Sequence, residues 1–132
     1  MDIRPQVIVV DDVETNLDVF CEFLHLKNID VVGTGKSGLD AVQLYEKYHP
    51  DVVLVDLAMP GYDGYFALNN ILAMNKNAQV IILTALQDKK NKEKLLKIGA
   101  AYVLHKPFEL DRVVEIINRI FQTRKIISTR DA

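Results

Sequence analysis

At 132 residues, with 49% hydrophobic side chains, the chain suits one domain with one ordinary core and gives no reason for a second. A formal net charge of −2 excludes the broad basic surface of a nucleic-acid binder and the charge block of an acidic disordered tail. No apolar stretch approaches the ~18 residues of a membrane span, Met1-Asp2-Ile3-Arg4-Pro5 lacks the apolar run of a secretory signal, and the single Cys21 excludes an internal disulfide; the expected compartment is the cytoplasm.

In chain order, Val7 to Val10 opens as a strand, and Leu17, Phe20, Cys21 and Leu24 then fall on one face of a helix, where Cys21 reads as a small core residue. Val31 to Val32 is a weaker strand, placed at an edge. Ser37-Gly38-Leu39-Asp40 sets a capping hydroxyl three residues ahead of a carboxylate and starts a second helix, whose stripe is Leu39, Val42, Leu44 and Tyr45. Val52 to Val55 is the third strand. Met59-Pro60-Gly61 is a turn, Asp63-Gly64 suits a turn or a helix start, and a third helix covers Phe66 to Met74. Val80 to Leu83, a helix over Lys92 to Ile98 ended by Gly99, a strand at Tyr102 to Leu104 and a helix over Leu110 to Phe121 complete the pattern. From Gln122 to Ala132 the sequence turns polar and reads as a tail or linker stub, leaving residues 1–121 as the domain. Strand and helix alternate throughout, and four of the strands are continuously apolar. That is the mark of an α/β fold whose parallel sheet is covered on both faces.

Polar residues sit at the ends of these apolar runs: Asp11 and Asp12 after the first, Asp56 after the third, Thr84 after the fourth and Lys106 after the fifth. In an open parallel sheet those ends share one edge, where ligands bind. Three carboxylates held together cannot all stay ionised cheaply without a cation. An all-oxygen donor set with room for water favours Mg²⁺. A divalent ion and the Lys106 ammonium together suit a phosphoryl group, whose charge is spread over three oxygens, and a carboxylate such as Asp56 is a competent nucleophile towards phosphorus.

Val9-Val10-Asp11-Asp12, Val53-Leu54-Val55-Asp56-Leu57-Ala58-Met59-Pro60-Gly61-Tyr62-Asp63-Gly64, Thr84-Ala85 and His105-Lys106-Pro107-Phe108 resemble, in order and in place, the receiver domain of two-component response regulators. The resemblance covers about Gln6 to Phe121. It implies a flavodoxin-like, doubly wound sheet of five parallel strands in the order 2-1-3-4-5, with five helices. It also implies that Asp56 accepts a phosphoryl group from a phosphohistidine of a sensor histidine kinase or phosphotransfer protein. Asp12, Asp56 and the backbone carbonyl of Ala58 would ligate Mg²⁺, with Asp11 acting largely through a water. Lys106, Thr84 and the backbone of Ala85 would meet the phosphoryl oxygens, and Pro107 matches the family's cis proline. Phosphorylation would then change a surface formed by the fourth helix, fifth strand and fifth helix, including Tyr102, Val103 and His105. The downstream partner would be a target protein, a C-terminal output domain or, on phosphorylation, a second copy; neither nucleic acid nor membrane is a direct partner. The expected protein is a signalling domain that promotes only its own phosphotransfer and dephosphorylation.

The pattern departs from the family at Val103, where an aromatic residue often stands; Tyr102 next door points to the opposite face of its strand. Ala58 and Leu86 are too apolar to position an attacking water, so dephosphorylation is expected to depend on access alone. His25, His49 and His105 have no metal spacing, and the run Lys89-Lys90-Asn91-Lys92-Glu93-Lys94 reads as the solvated start of a helix or as a basic patch for an acidic partner. An aspartate-nucleophile phosphatase would need an acid where Ala58 stands. In a flavodoxin-type cofactor carrier, Asp11-Asp12 would repel the phosphate. A receiver-like binding module that is never phosphorylated is the remaining alternative.

Overall fold

Continuous apolar runs bury themselves as central strands, and here they set the whole sheet. The computed structural model describes residues 4–131, with side chains as far as residue 124; Met1-Asp2-Ile3 and Ala132 lie outside the described residues. The elements are β1 (Gln6–Val10), α1 (Glu14–Leu26), β2 (Asp30–Gly35), α2 (Gly38–Tyr48), β3 (Val52–Asp56), α3 (Gly64–Met74), β4 (Val80–Thr84), α4 (Lys89–Ile98), β5 (Tyr102–His105) and α5 (Leu110–Asp131). All five strands are parallel, in the order β2-β1-β3-β4-β5. Every residue of β3 and β4 is buried, whereas most of β2, at the edge, is half-buried.

Alternation along the strands divides the core into two layers. Ile8, Val10, Val53, Val55, Val80, Ile82 and Val103 face α2, α3 and α4, packing on Ala41, Tyr45, Leu68, Ile71 and Leu95. Val7, Val9, Val52, Leu54, Ile81 and Leu83 face α1 and α5, where Leu17, Phe20, Leu24, Ile116 and Ile117 close over them. Among the described residues no helix is long and apolar enough to cross a membrane.

Local chemistry sets the helix ends. The Ser37 hydroxyl accepts a hydrogen bond from the Asp40 amide at 3.2 Å, as the sequence predicts, but the Asp40 carboxylate closes back on the Lys36 amide at 2.9 Å, one residue before the cap. Asp63 caps α3 through the Phe66 amide, and Asp88 caps α4 through the Lys90 amide. Gly99, at φ +130°, ends α4 as expected.

Several boundaries differ from the sequence reading. β2 runs to Gly35 because its backbone pairs with β1 through residues with little strand signal, Gly33 and Gly35 among them. α4 starts three residues earlier, at Lys89, behind its Asp88 cap. The helix expected over Leu110 to Phe121 runs on to Asp131 through the polar stretch from Gln122. It contains no glycine or proline to stop a helix, and the Arg124 guanidinium donates to the Asp51 carbonyl at 2.9 Å.

Candidate functional site

The register places the strand ends level: Val10 pairs with Val55, Asp56 with Leu83, and Thr84 with His105. Asp11, Asp56, Thr84 and Lys106 directly follow Val10, Val55, Leu83 and His105, so these polar residues close neighbouring strands at one edge. Ligand oxygens of Asp11, Asp12 and Asp56 all lie within 4.8 Å of one another. Asp11 and Asp56 are each 7% exposed, while Asp12 is open to solvent. The Lys106 ammonium stands 2.7 Å from Asp56 Oδ1 and 3.9 Å from Asp11 Oδ2. Its own backbone is tied down, since the Lys106 amide donates to the Thr84 carbonyl at 2.8 Å. The peptide bond from Lys106 to Pro107 is cis, matching the residue singled out by resemblance.

Asp11 shows why an acid pair at a strand end is more than a cap here. The cap position of α1 is Val13, which offers no side-chain acceptor, and Asp11 Oδ1 accepts from the Val13 amide at 2.9 Å. That bond leaves Asp11 Oδ2 directed towards Lys106. Burial raises the Asp56 carboxyl above the usual carboxylate range; the hydrogen bond and charge of Lys106 draw it back, and the charges of Asp11 and Asp12 push it up again. The donor set fits a hard divalent cation, being entirely oxygen, anionic and open to water on the Asp12 side.

Thr84 is 3% exposed, and its hydroxyl accepts from the Leu86 amide at 3.0 Å, so the start of the β4–α4 loop is tied to the residue at the strand end. The loop itself is exposed from Ala85 to Asp88. Ala58, whose carbonyl the resemblance singles out, is exposed on the opposite rim, between buried Leu57 and Met59.

Two glycines that the sequence places at helix starts, without showing what they touch, pack behind Asp56. A Cβ on Gly64 would stand 2.7 Å from Leu57 Cα and 2.8 Å from the Asp56 carbonyl oxygen, and the Gly64 amide donates to the Leu57 carbonyl. A Cβ on Gly38 would stand 2.2 Å from the Asp63 carbonyl oxygen, and the Gly38 amide donates to the Tyr62 carbonyl. Both helix starts therefore lean on the loop behind Asp56. The only advance signal is their position, each directly after a helix cap.

The expected output surface needs correction. Val103 is 6% exposed and belongs to the core layer beneath α4, so it offers little to a partner. Tyr102 and His105 are half-buried, and Tyr102 packs on the α1 and α5 side, whereas Ile82 and Val103 face α4. Cys21 is half-buried, and burial with the nearby Asp18 charge raises its thiol, which suits packing better than reactivity.

The family model described as the response regulator receiver domain matches residues 7–118. The chain belongs to this receiver family. Protein CcdB of Bacillus subtilis is 34% identical over 115 residues, covering 87% of this chain and 96% of the relative. Chemotaxis protein CheY of Halobacterium salinarum is 30% identical over 115 residues, covering 87% and 95%. Among solved structures, a CheX–CheY complex of Borrelia burgdorferi with BeF3 and Mg²⁺ superposes with a TM-score of 0.82 at 28% identity, covering 88% of each chain. The protein is thus a receiver domain of two-component systems with the flavodoxin-like order its strands display.

Proposed function

We propose that Asp56 is the phosphoacceptor of this receiver, taking its phosphoryl group from a phosphohistidine on a sensor histidine kinase or phosphotransfer protein. The observation that carries the reading is the 2.7 Å contact between Lys106 and a buried Asp56 that shares its crevice with two further carboxylates. A carboxylate oxygen of Asp56 attacks phosphorus, the P–N bond breaks, and the imidazole leaves with the electron pair. Asp11, Asp12, Asp56 and the Ala58 carbonyl would hold Mg²⁺, which supplies charge neutralisation at the phosphoryl oxygens. Lys106 moves from pairing with the free carboxylate to pairing with the phosphoryl group. The Thr84 hydroxyl leaves the Leu86 amide to join it, with the Ala85 amide, and that exchange releases the β4–α4 loop and shifts the α4–β5–α5 surface. The BeF3 and Mg²⁺ of the CheY relative are consistent with the same chemistry.

In this reading the domain is a switch and not a catalyst for other substrates. Its output passes to a target protein, to an attached output domain or to a second phosphorylated copy. Residues 1–121 are the receiver domain in this reading, and residues 122–132 a polar tail or linker stub. Intact mass after incubation with acetyl phosphate and Mg²⁺ tests the proposal: one added phosphoryl group, absent with chelator, supports it. No addition under conditions that label a known receiver leaves the unphosphorylated binding module in its place.

Exposed Ala58 and Leu86, which is 52% exposed, flank the approach to Asp56 without a group that orients water. Leu86→Glu is therefore expected to shorten the lifetime of the phosphorylated form, by less than the ~10²-fold of a well-placed general base. Loss of label over time, compared with wild type, checks this. An unchanged or longer lifetime would mean that positioning of water at this rim is not limiting.

A further inference from the structure

The cations of this chain are unevenly paired. Outside α4, every described lysine and arginine except Lys47 and Lys76 lies within salt-bridge reach of a carboxylate, Lys36 on Glu14 at 3.1 Å and Arg112 on Glu115 at 2.7 Å among them. Among the described residues, none of the five lysines of α4 does so, and Glu93 beside them pairs with none. Five lysines against one glutamate give this helix a formal +4, so the remainder of a chain of net charge −2 carries −6.

The lysines also fall on two sides. Lys90, Lys94 and Lys97 line a groove with Glu93 and half-buried Ile98, while Lys89 and Lys92 lie around the helix from them. Lys94 is already held over the Tyr65 ring at 4.8 Å, and Tyr65 hydrogen-bonds Asn91 of the same helix. The result is an apolar floor with an ammonium rim, the lysine stems supplying further apolar surface.

We infer that this groove of α4 docks an acidic polypeptide segment that carries an apolar residue among its carboxylates. Opposite charge selects the segment, and the Ile98 floor receives its apolar side chain. A nucleic-acid strand fits less well. The helix is only about 15 Å long, no arginine lines the groove, and phosphates running beyond it would meet the negative remainder of the surface. The inference rests on the proposed output role of α4 but names the chemistry of its partner.

The test is fluorescence anisotropy of a labelled peptide repeating Glu-Glu-Leu, with the matching Gln-Gln-Leu peptide and a random-sequence DNA duplex as competing probes. The double variant Lys90→Gln/Lys97→Gln is expected to weaken binding of the acidic peptide about two- to thirtyfold. Lys89→Gln/Lys92→Gln, with the same change of charge on the same helix, should weaken it less. Equal losses from the two variants, equal binding of the glutamine peptide, or tighter binding of the duplex would each overturn the groove as an acidic-segment site. All four positions lie at the surface, and thermal melts verify that the variants fold. Phosphorylation of the same samples is followed by mass. A chain that binds the peptide through Lys90 and Lys97 but takes up no phosphoryl group overturns the phosphoacceptor reading alone; one that is phosphorylated yet indifferent to those lysines overturns this inference alone.

Discussion

A chain carrying Asp56→Asn is expected to take up no phosphoryl group and, kept free of divalent ions, to melt above the wild type. The first effect follows from chemistry, because an amide is a poor nucleophile at the position where the carboxylate would attack. The second follows from burial. Asp56 is 7% exposed, and the cost of removing its charge from water is only partly offset by Lys106, while Asp11 and Asp12 add repulsion. Asparagine removes the charge and keeps the shape. Lys106 is not stranded by the change, since Asp11 remains within 3.9 Å and the side chain is 31% exposed. A gain on the order of 1–2 kcal/mol, or about 5 °C in Tm, is the expected scale.

The pH dependence has a definite sign. A carboxyl whose folded pKa is raised binds its proton more tightly in the native state, so its contribution is favourable below the unfolded pKa and is lost as pH rises through the folded one. The advantage of Asp56→Asn should therefore be small in acid, below the ordinary carboxylate range, and full at neutral pH. Excess Mg²⁺ should narrow it by stabilising the wild type. Melts of both chains across pH, in chelator and in Mg²⁺, check each arm. A variant that melts below the wild type at neutral pH in chelator would show that the Lys106 pair outweighs the burial of charge.

Gly64→Ala is expected to damage both the fold and the geometry at Asp56. The added Cβ would meet Leu57 Cα at 2.7 Å and the Asp56 carbonyl oxygen at 2.8 Å. Both are backbone atoms, so no side-chain rotation relieves the contact, and either the start of α3 or the end of β3 must move. A loss of about 2–3 kcal/mol and about 10 °C in Tm follows. Since the displaced backbone is that of Asp56, the proposed acceptor, phosphorylation should slow as well, approaching the ~10²-fold that a 1 Å misplacement can cost. Gly61→Ala is the comparison. Gly61 has nothing within 4 Å of its Cβ position, and its φ of +78° alone is penalised, at about 1 kcal/mol. If the two variants melt together, close packing of α3 on the acceptor loop is not what Gly64 provides.

These two positions also mark what sequence could and could not tell. Asp56 stood out in the sequence because a carboxylate after Val52, Val53, Leu54 and Val55 breaks a buried run at its end, and the fold brings it beside Asp11, Asp12 and Lys106. Asp11, Thr84 and Lys106 were legible by the same rule, since parallel strands align their ends. Gly64 and Gly38 carry no side chain to read, and their importance lies in contacts with Asp56, Leu57, Tyr62 and Asp63 that exist only once α2 and α3 have packed. Val103 misled in another way. A resemblance assigned it to a surface because other family members place an aromatic there, but a valine at that register fits into the core layer with Leu95. The length of α5 escaped because apolar periodicity fades after Phe121, whereas a helix needs only the absence of breakers to continue.

Asp51, just before β3, is where the two ends of the receiver meet. Its carboxylate accepts from the Gln6 amide at 2.8 Å, and its carbonyl accepts from Arg124 at 2.9 Å, so the entry to β1 and the late turns of α5 are stitched to one residue. This happens at the edge of the sheet opposite the carboxylate crevice. Both stretches are thus anchored to one residue, and the chain could be opened elsewhere. A circular permutant would join the region of residue 124 to the region of residue 6 by a short flexible bridge. With its new ends cut between exposed Lys76 and Asn77, in the turn that leads from α3 to β4, it would keep Asp11, Asp12, Asp56 and Lys106 attached to their native strand ends.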